Sequence, residues 1–424
     1  MTLLLLALGI AVLLSLRVPV AFALLGPSLV YVAVEGYSSG LALRQTVQGI
    51  DSFPLLAVPM FILVGVIASH AGFADRLFDF TLAIFGRVRA SLGYVNIGVS
   101  VGFSWMSGAA LADAAGLGRI EVPAMLRRGY PERFTVGITA ASTVIGPIMP
   151  PSIPAIVYAS IAAVSTGALF AAAIVPALLL AAALASAVWL WGRSHEDLWQ
   201  SGFSWSELWR SGVRALGPMG AAAIILGGIL GGIFTPTEAA AVGVVYMLVI
   251  GFAYRTLALR DLPVVIREAT ATTGVIMIIL GSSALLGWIL AREGVPQAAA
   301  DAMGSVTESQ LVFLLLVNVL LLVFGMIMEP LAAMVISVPI LLPIALEFGV
   351  DPLHFGVVVI LNLMIGLLTP PLGMVLYVLS SVTGIRVERV FAGTAPFLVP
   401  LLAVLLIVTI APDLALWLPR LLDL

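Results

Sequence analysis

The chain contains no cysteine and no lysine. The first absence excludes disulfides, thiolate metal sites and cysteine nucleophiles. The second makes arginine the only source of its nineteen basic residues and removes any Walker-type lysine, so the chain is not expected to hydrolyse ATP. Histidine is nearly absent too: His70, His195 and His354 lie far apart in sequence and form no HExxH-like pair. Charge of either sign is scarce, at 10% of 424 residues, against roughly 25% in a soluble domain. The net charge of -3 is too small to indicate a partner, and no nucleic-acid partner is expected. What remains is apolar: 62% of the residues are hydrophobic, and several stretches reach the roughly 20 residues that cross a bilayer as helix. The fold class read from this is an all-α polytopic membrane protein.

Long polar stretches are also missing, so no attached soluble domain is expected. The longest polar interruption runs from Arg193 to Arg214, where Trp199, Trp205, Leu208 and Trp209 suggest an interfacial amphipathic segment. Met1–Leu16 lacks a basic leading region and a small-residue cleavage site before Arg17, and is read as a retained first helix.

Glycine and proline recur in order at a nearly constant spacing. At an offset of 222, Gly65 falls on Gly287, Gly72 on Gly294, Asn96 on Asn318 and Ala110 on Ala332. At 220, Gly146 falls on Gly366 and Pro150-Pro151 on Pro370-Pro371, and at 217 Pro19 and Gly26 fall on Pro236 and Gly243. The chain therefore reads as a first repeat over 1–192, an amphipathic linker over 193–216 and a second repeat over 217–424. The first holds spans near 2–16, 18–36 and 53–72, a segment near 93–126 interrupted at Ser107-Gly108, a long span 134–165 interrupted at Gly146–Ser152, and a span 168–191. The second holds spans near 217–233, 236–254 and 270–291, an interrupted segment near 310–345, a broken span 354–382 and a last helix 391–411.

If the interrupted segments are re-entrant hairpins, each repeat crosses the membrane five times. That gives about ten transmembrane helices, and the odd number turns the second repeat upside down. Cytoplasmic loops collect positive charge. With both termini periplasmic, only Arg44, Arg292 and Arg420 lie outside and the other sixteen arginines are cytoplasmic. The linker is then cytoplasmic, the first hairpin enters from the cytoplasm and the second from the periplasm. This is the pattern of an inverted-repeat transporter.

Four irregular points are expected near the midplane. Non-helical backbone is tolerated there only where it is buried or lines a cavity. Freed carbonyls can ligate a cation, and half-helix N-termini present N–H groups to an anion. The first tip is Ser107-Gly108-Ala109-Ala110, where Ser107 is also expected to cap the outgoing half-helix, with Asp113 following. An aspartate in an apolar segment is functional by default. The first break, Gly146-Pro147-Ile148-Met149-Pro150-Pro151-Ser152, cannot continue a helix. Ser142 and Thr143 precede it by a turn. The second tip is Gly325-Met326-Ile327-Met328-Glu329-Pro330, with Glu329 opposite Ser107. The second break spans Gly366 to Gly373, including Thr369, Pro370 and Pro371, with Asn362 a turn earlier. Thr235-Pro236-Thr237-Glu238 spells a capping box and reads as structural.

At these motifs the sequence resembles the large membrane subunit of tripartite ATP-independent periplasmic (TRAP) transporters, within the ion transporter superfamily. The matching stretches are Phe53–Phe80, the Ser107–Gly116 tip, GPIMPPSIPAIVY at Gly146–Tyr158, FTPTEAAAVGVVY at Phe234–Tyr246, and LTPPLG at Leu368–Gly373. The tip departs from the serine-richer SGSS or SGSA form, because position 109 is Ala. The resemblance implies an elevator-type secondary importer of organic acids in the bacterial inner membrane, driven by sodium and needing no cofactor beyond the coupling ions. It implies two partners besides membrane lipid: a small four-helix membrane subunit, absent from this chain, and a periplasmic binding protein. Carried over by motif, sodium would be held at Ser107, Gly108, Ser142 and Gly146 in the first repeat and Gly325, Met328, Gly366 and Thr369 in the second. Substrate would meet Asp113, Pro150, Pro151, Ser152, Glu329, Asn362, Pro370 and Pro371.

The nearest alternative is a self-sufficient sodium–dicarboxylate symporter or anion permease of the same superfamily. A channel suits hairpins and broken helices less well than alternating access does. An intramembrane hydrolase would need a Ser/Lys or Ser/His pair, paired aspartates or a metal cluster inside helices; none is found, and the chain is not expected to be an enzyme.

Overall fold

The computed structural model describes the whole chain except residues 1, 17, 196–201 and 203. Arg17 and Trp199, assigned above to the cytoplasmic side and the amphipathic segment, lie outside the described residues. Helix dominates throughout. The first half begins with α1 (Thr2–Ser15), α2 (Val20–Val34) and α3 (Ser39–Gln48), then passes through a 3-10 turn into α4 (Ala57–His70) and α5 (Phe73–Phe85). The first hairpin follows as α6 (Ser91–Ser107) and α7 (Ala110–Arg127), the first broken helix as α8 (Glu132–Ser142) and α9 (Ile153–Ala162), and α10 (Thr166–Gly192) ends the half. The second half runs α11 (Trp205–Leu230), α12 (Pro236–Ala253), α13 (Leu262–Arg292) and α14 (Val295–Val306). Its hairpin is α15 (Gln310–Ile327) with α16 (Pro330–Glu347), and its broken helix is α17 (Pro352–Gly366) with α18 (Met374–Thr383). The chain finishes with α19 (Val387–Ile410) and α20 (Asp413–Leu421).

Both interrupted segments and both breaks fall where the sequence put them. Among the described residues, eight helical stretches are long and apolar enough to cross a membrane, and two of these are the arms of the second hairpin. Helices α1 and α2 and most half-helices of the breaks are shorter apolar elements of 10–17 residues. Three features differ from the expectation. The stretch 205–216 is not a separate linker, because α11 runs unbroken from Trp205 into the span. The helix α13 begins about two turns earlier than its apolar core suggests. Four helices, α3, α5, α14 and α20, occupy what the sequence reading left as connections.

The element order repeats. Helix α5 begins after Gly72 at φ +65° and α14 after Gly294 at φ +69°, and each leads into a hairpin, a broken helix and a long closing helix. Local chemistry explains the punctuation. Pro236, Pro330 and Pro352 stand at first helical positions, where a missing N–H is harmless. The Thr235 box is a true cap: Glu238 N donates to Thr235 Oγ1 at 3.3 Å, and Thr235 N donates to Glu238 Oε2 at 2.8 Å.

Two groups of helices, a frame and a body, share one apolar core and pack on one another through α13–α16 and α4–α6. In the frame, α4 lies along α12 and α13, and α13 also packs on α2 and α3. Arg292 Nε donates to Tyr37 Oη at 2.6 Å and Tyr31 Oη to Glu293 Oε1 at 2.5 Å, fastening α13 to the first helices. Within the body, α8 lies against α19 and α15 against α17. Two crossed contacts join the repeats there: α7 packs on α18, and α16 packs on α9. Each joins a hairpin's second arm to the second half of the other repeat's broken helix.

Candidate functional site

In the first repeat, α6 ends at Ser107 and the chain reverses at Gly108, whose φ of +58° favours glycine. A Cβ at Gly108 would stand 2.7 Å from the Pro151 carbonyl oxygen. The tip is thus seated on the first break by direct backbone contact. Ser107 does not cap α7, as the sequence suggested. It belongs to the end of α6, accepts from Ala109 N at 3.3 Å, and donates its hydroxyl to Asp113 Oδ1. Asp113 is fully buried in the first turn of α7. Among the described residues its Oδ2 has no hydrogen-bond partner, and it lies against the position a Cβ of Gly146 would fill. The tip serine, the carboxylate and the break glycine therefore form one junction.

Ser142 and Ser152 are placed elsewhere. Ser142 Oγ donates to Asn96 Oδ1 at 2.7 Å, away from the tip. Ser152 caps α9 by accepting from Ala155 N at 3.1 Å and donates to the Pro147 carbonyl, which ties the break to itself. Pro150 and Pro151 are buried and joined by a cis peptide bond.

The second repeat joins tip to break mainly through backbone. A Cβ at Gly325 would stand 3.1 Å from Gly366 Cα, and one at Gly366 would stand 2.6 Å from Gly325 Cα. Leu372 N donates to Met326 O at 3.1 Å across the same junction. Glu329, opposite Ser107, is the N-cap of α16 and accepts from Ala332 N at 2.9 Å. Met328 is a half-buried residue in extended conformation beside it. Thr369 is also half-buried and returns its hydroxyl to Ile365 O at 3.2 Å, so its side chain is engaged by its own helix. The Pro370-Pro371 bond is cis as well, but Pro371 and Leu372 are exposed, whereas every residue of the first break is buried.

Behind both junctions stands a pair of polar side chains that the repeat alignment superimposes. Asn362 Nδ2 donates to Asn318 Oδ1 at 2.8 Å and to Asn318 O at 3.0 Å, matching the Ser142–Asn96 bond. Sequence reasoning named Asn362 and Ser142 but missed the role of Asn96 and Asn318 and missed Glu121 altogether. Glu121 is buried in α7 and its Oε2 accepts from Asn96 Nδ2 at 2.7 Å. The signal was available: Glu121 is an ionisable residue inside the hairpin, eight positions after Asp113 and on the same helix face.

Two cavities lie apart from these residues. One of about 430 Å³ opens between the frame and the body, lined by Ser52, Ser160, Ser283 and Pro339. The other, of about 910 Å³, is an apolar groove between α10 and α19.

A buried carboxylate with a free oxygen beside non-helical backbone can receive a hard cation, and half-helix N-termini facing an exposed break can receive an anion. Known proteins agree with a transport role. Residues 7–414 match the family described as the tripartite ATP-independent periplasmic transporter, DctM component. The chain is 42% identical over 406 residues to the sialic acid TRAP transporter large permease protein SiaM of Vibrio cholerae, covering 95% of each. It is 37% identical over 371 residues to the C4-dicarboxylate TRAP transporter large permease protein DctM of Pseudomonas aeruginosa, covering 87% of each. It is 38% identical to the sialic acid TRAP transporter permease protein SiaT of Haemophilus influenzae, covering 97% of this chain and 67% of that one. Among solved structures, the YdaH transporter of Alcanivorax borkumensis superposes with a TM-score of 0.68 at 14% identity, over 96% of this chain and 98% of that one, a likeness of fold. The chain belongs to the DctM component family of tripartite ATP-independent periplasmic transporters, as a multi-pass large permease subunit of the inner membrane.

Proposed function

We propose that this chain imports an organic acid, coupled to sodium, by moving the body of hairpins and broken helices against the frame. The observation that carries the reading is the pair of tip–break junctions, each closed within its own repeat and cross-linked by α7–α18 and α16–α9. A body built this way moves as a unit, because each hairpin is held by both broken helices. The odd number of crossings per repeat and the sixteen-to-three arginine division support opposite orientations of the halves, with both termini periplasmic.

Sodium is assigned first to the junction of Ser107, Gly108, Asp113 and Gly146, where a carboxylate oxygen has no partner among the described residues. A second ion is assigned to the backbone around Gly325, Met328 and Gly366, with Thr369 nearby. Substrate is assigned to the surface between the breaks, on the side where Pro371 is exposed. An acid fits because half-helix N-termini offer N–H groups and positive dipole ends to a carboxylate. The substrates printed in the relatives' names, sialic acid and C4-dicarboxylate, support that class.

A small four-helix membrane subunit and a periplasmic binding protein complete the importer in this reading. The test is reconstitution in liposomes. The chain alone is expected to take up no acid above background, and addition of the small subunit and a loaded binding protein to restore uptake. Full uptake by the chain alone would instead make it a self-sufficient symporter.

A further inference from the structure

Glu121 stands outside the tip–break junction, about 12 Å along α7 from Asp113 at 1.5 Å per residue. It is 1% exposed, and the side chains gathered around it, Asn96, Thr139 and Ser142, are 1%, 0% and 0% exposed. These come from α6 and α8, so three helices converge. Asn96 Nδ2 donates to Glu121 Oε2 at 2.7 Å and to Thr139 Oγ1 at 2.8 Å, and Ser142 Oγ donates to Asn96 Oδ1 at 2.7 Å. Among the described residues Glu121 Oε1 has no hydrogen-bond partner.

None of the ion pairs among the described residues includes Glu121. The charge that acts on it is another carboxylate, Asp113. The helices packed on α7 supply no counter-charge: α6 and α18 carry no charged residue, and Glu132 and Arg133 of α8 sit in its first turn, away from Thr139. Helix α5 carries Asp75, Arg76 and Asp79, with the Arg76 guanidinium over the Tyr254 ring at 3.9 Å. Arg119 of α7 itself is on the exposed face. A bare carboxylate at such a place, with one donor, is costly.

The second repeat shows that the join does not need the carboxylate. There Asn318, equivalent to Asn96, gives its Nδ2 to the neutral hydroxyl of Thr409 at 2.9 Å, and its partner is Asn362. The position equivalent to Glu121 is Pro343. Glu121 therefore adds a negative charge to a node that its counterpart completes without one, although the counterpart too leaves a buried oxygen without a partner among the described residues, at Asn362 Oδ1.

We propose that Glu121, with Asn96, Thr139 and Ser142, holds a further hard monovalent cation, a sodium ion or a proton, at a site separate from the first hairpin tip. The cation neutralises Glu121 and travels with the first hairpin. This goes beyond the tip sites and is tested without transport, so its failure leaves the importer reading intact.

The experiment uses the purified full chain in detergent, with radioactive sodium alone as one probe and the infrared carboxyl region as the other. Glu121→Gln keeps the shape and removes the charge. If sodium is the occupant, the variant loses one bound sodium per chain. If a proton is the occupant, sodium binding is unchanged, but the parent-minus-variant spectrum contains a protonated-carboxyl C=O band. Either result supports the site. The proposal is overturned if the variant keeps every sodium equivalent and the difference spectrum lacks that band. Thr139→Val guards against a folding loss in the first variant: it removes one ligand oxygen and is expected to weaken sodium at this site or shift the band. Parental values in both readings would overturn the proposal as well.

Discussion

The two tip–break junctions occupy equivalent places in the repeat and are built from different chemistry. In the first, an acidic side chain is added to the backbone contact of Gly108 with Pro151: Asp113 is buried, takes one hydrogen bond from Ser107 and leaves an oxygen free against Gly146. In the second, the backbone closes the contact: Gly325 and Gly366 approach within side-chain distance, and Leu372 bonds to Met326. The second acid, Glu329, is satisfied by the N-terminus of α16. A carboxylate satisfied by helix N–H groups needs no other counter-charge, whereas one left with a free buried oxygen does. In the proposed reading the first junction is therefore given the cation, and the second, whose break reaches the surface at Pro371 and Leu372, the incoming anion.

The largest effect is expected from disturbing the backbone join. Gly366→Val places branched carbon where Gly325 Cα lies 2.6 Å from the first Cβ, so the second junction is expected to open and reconstituted uptake to fall to background. Gly325→Val tests the same contact from the other side. Gly108→Ala comes next. It adds a left-handed cost of roughly 1–2 kcal/mol and a contact with the Pro151 carbonyl, so a drop of several degrees in the midpoint of thermal unfolding is expected. Parental stability would show that the tip is not seated on the break. Ser107→Ala removes the hydrogen bond to Asp113 and is expected to raise the sodium needed for half-maximal uptake by severalfold. Thr369→Ala is expected to change it least, since that hydroxyl is already bonded to Ile365. A larger shift for Thr369 than for Ser107 would reverse the comparison of the two junctions.

Orientation can be sharpened separately. In a chain without cysteine, single cysteines at Arg87 and Glu308 report position directly. They are expected to label from opposite sides of the membrane, and labelling from one side would remove the inversion of the repeats.

The hairpins and breaks were legible because glycine and proline act through backbone geometry, which is local. Ser107-Gly108 and Pro150-Pro151 announce a reversal and a break without any knowledge of their neighbours. The helices α3, α5, α14 and α20 were not legible, because a search for continuous apolar spans passes over short amphipathic elements such as Phe73–Phe85. The beginning of α11 was hidden for a related reason: Trp205–Arg214 is polar enough to read as linker, yet Ser204 caps it and the helix continues into the span. Side-chain partnerships were the least legible. The motif reading gave Ser107 and Ser142 together to sodium and Ser152 to substrate, but helix α8 presents Ser142 to Asn96 on α6, a choice made by packing. Glu121 shows the converse, a signal present in the sequence whose partners only the fold supplies.

The central claim is that the first junction couples sodium to the movement of the body. Its most direct test is uptake against external sodium in the complete reconstituted importer, at fixed membrane potential, for the parent and Asp113→Asn. The account expects saturable sodium dependence in the parent, and in the variant a dependence shifted to at least tenfold higher sodium. Identical sodium curves for the two, or uptake in the parent that ignores sodium, would contradict it.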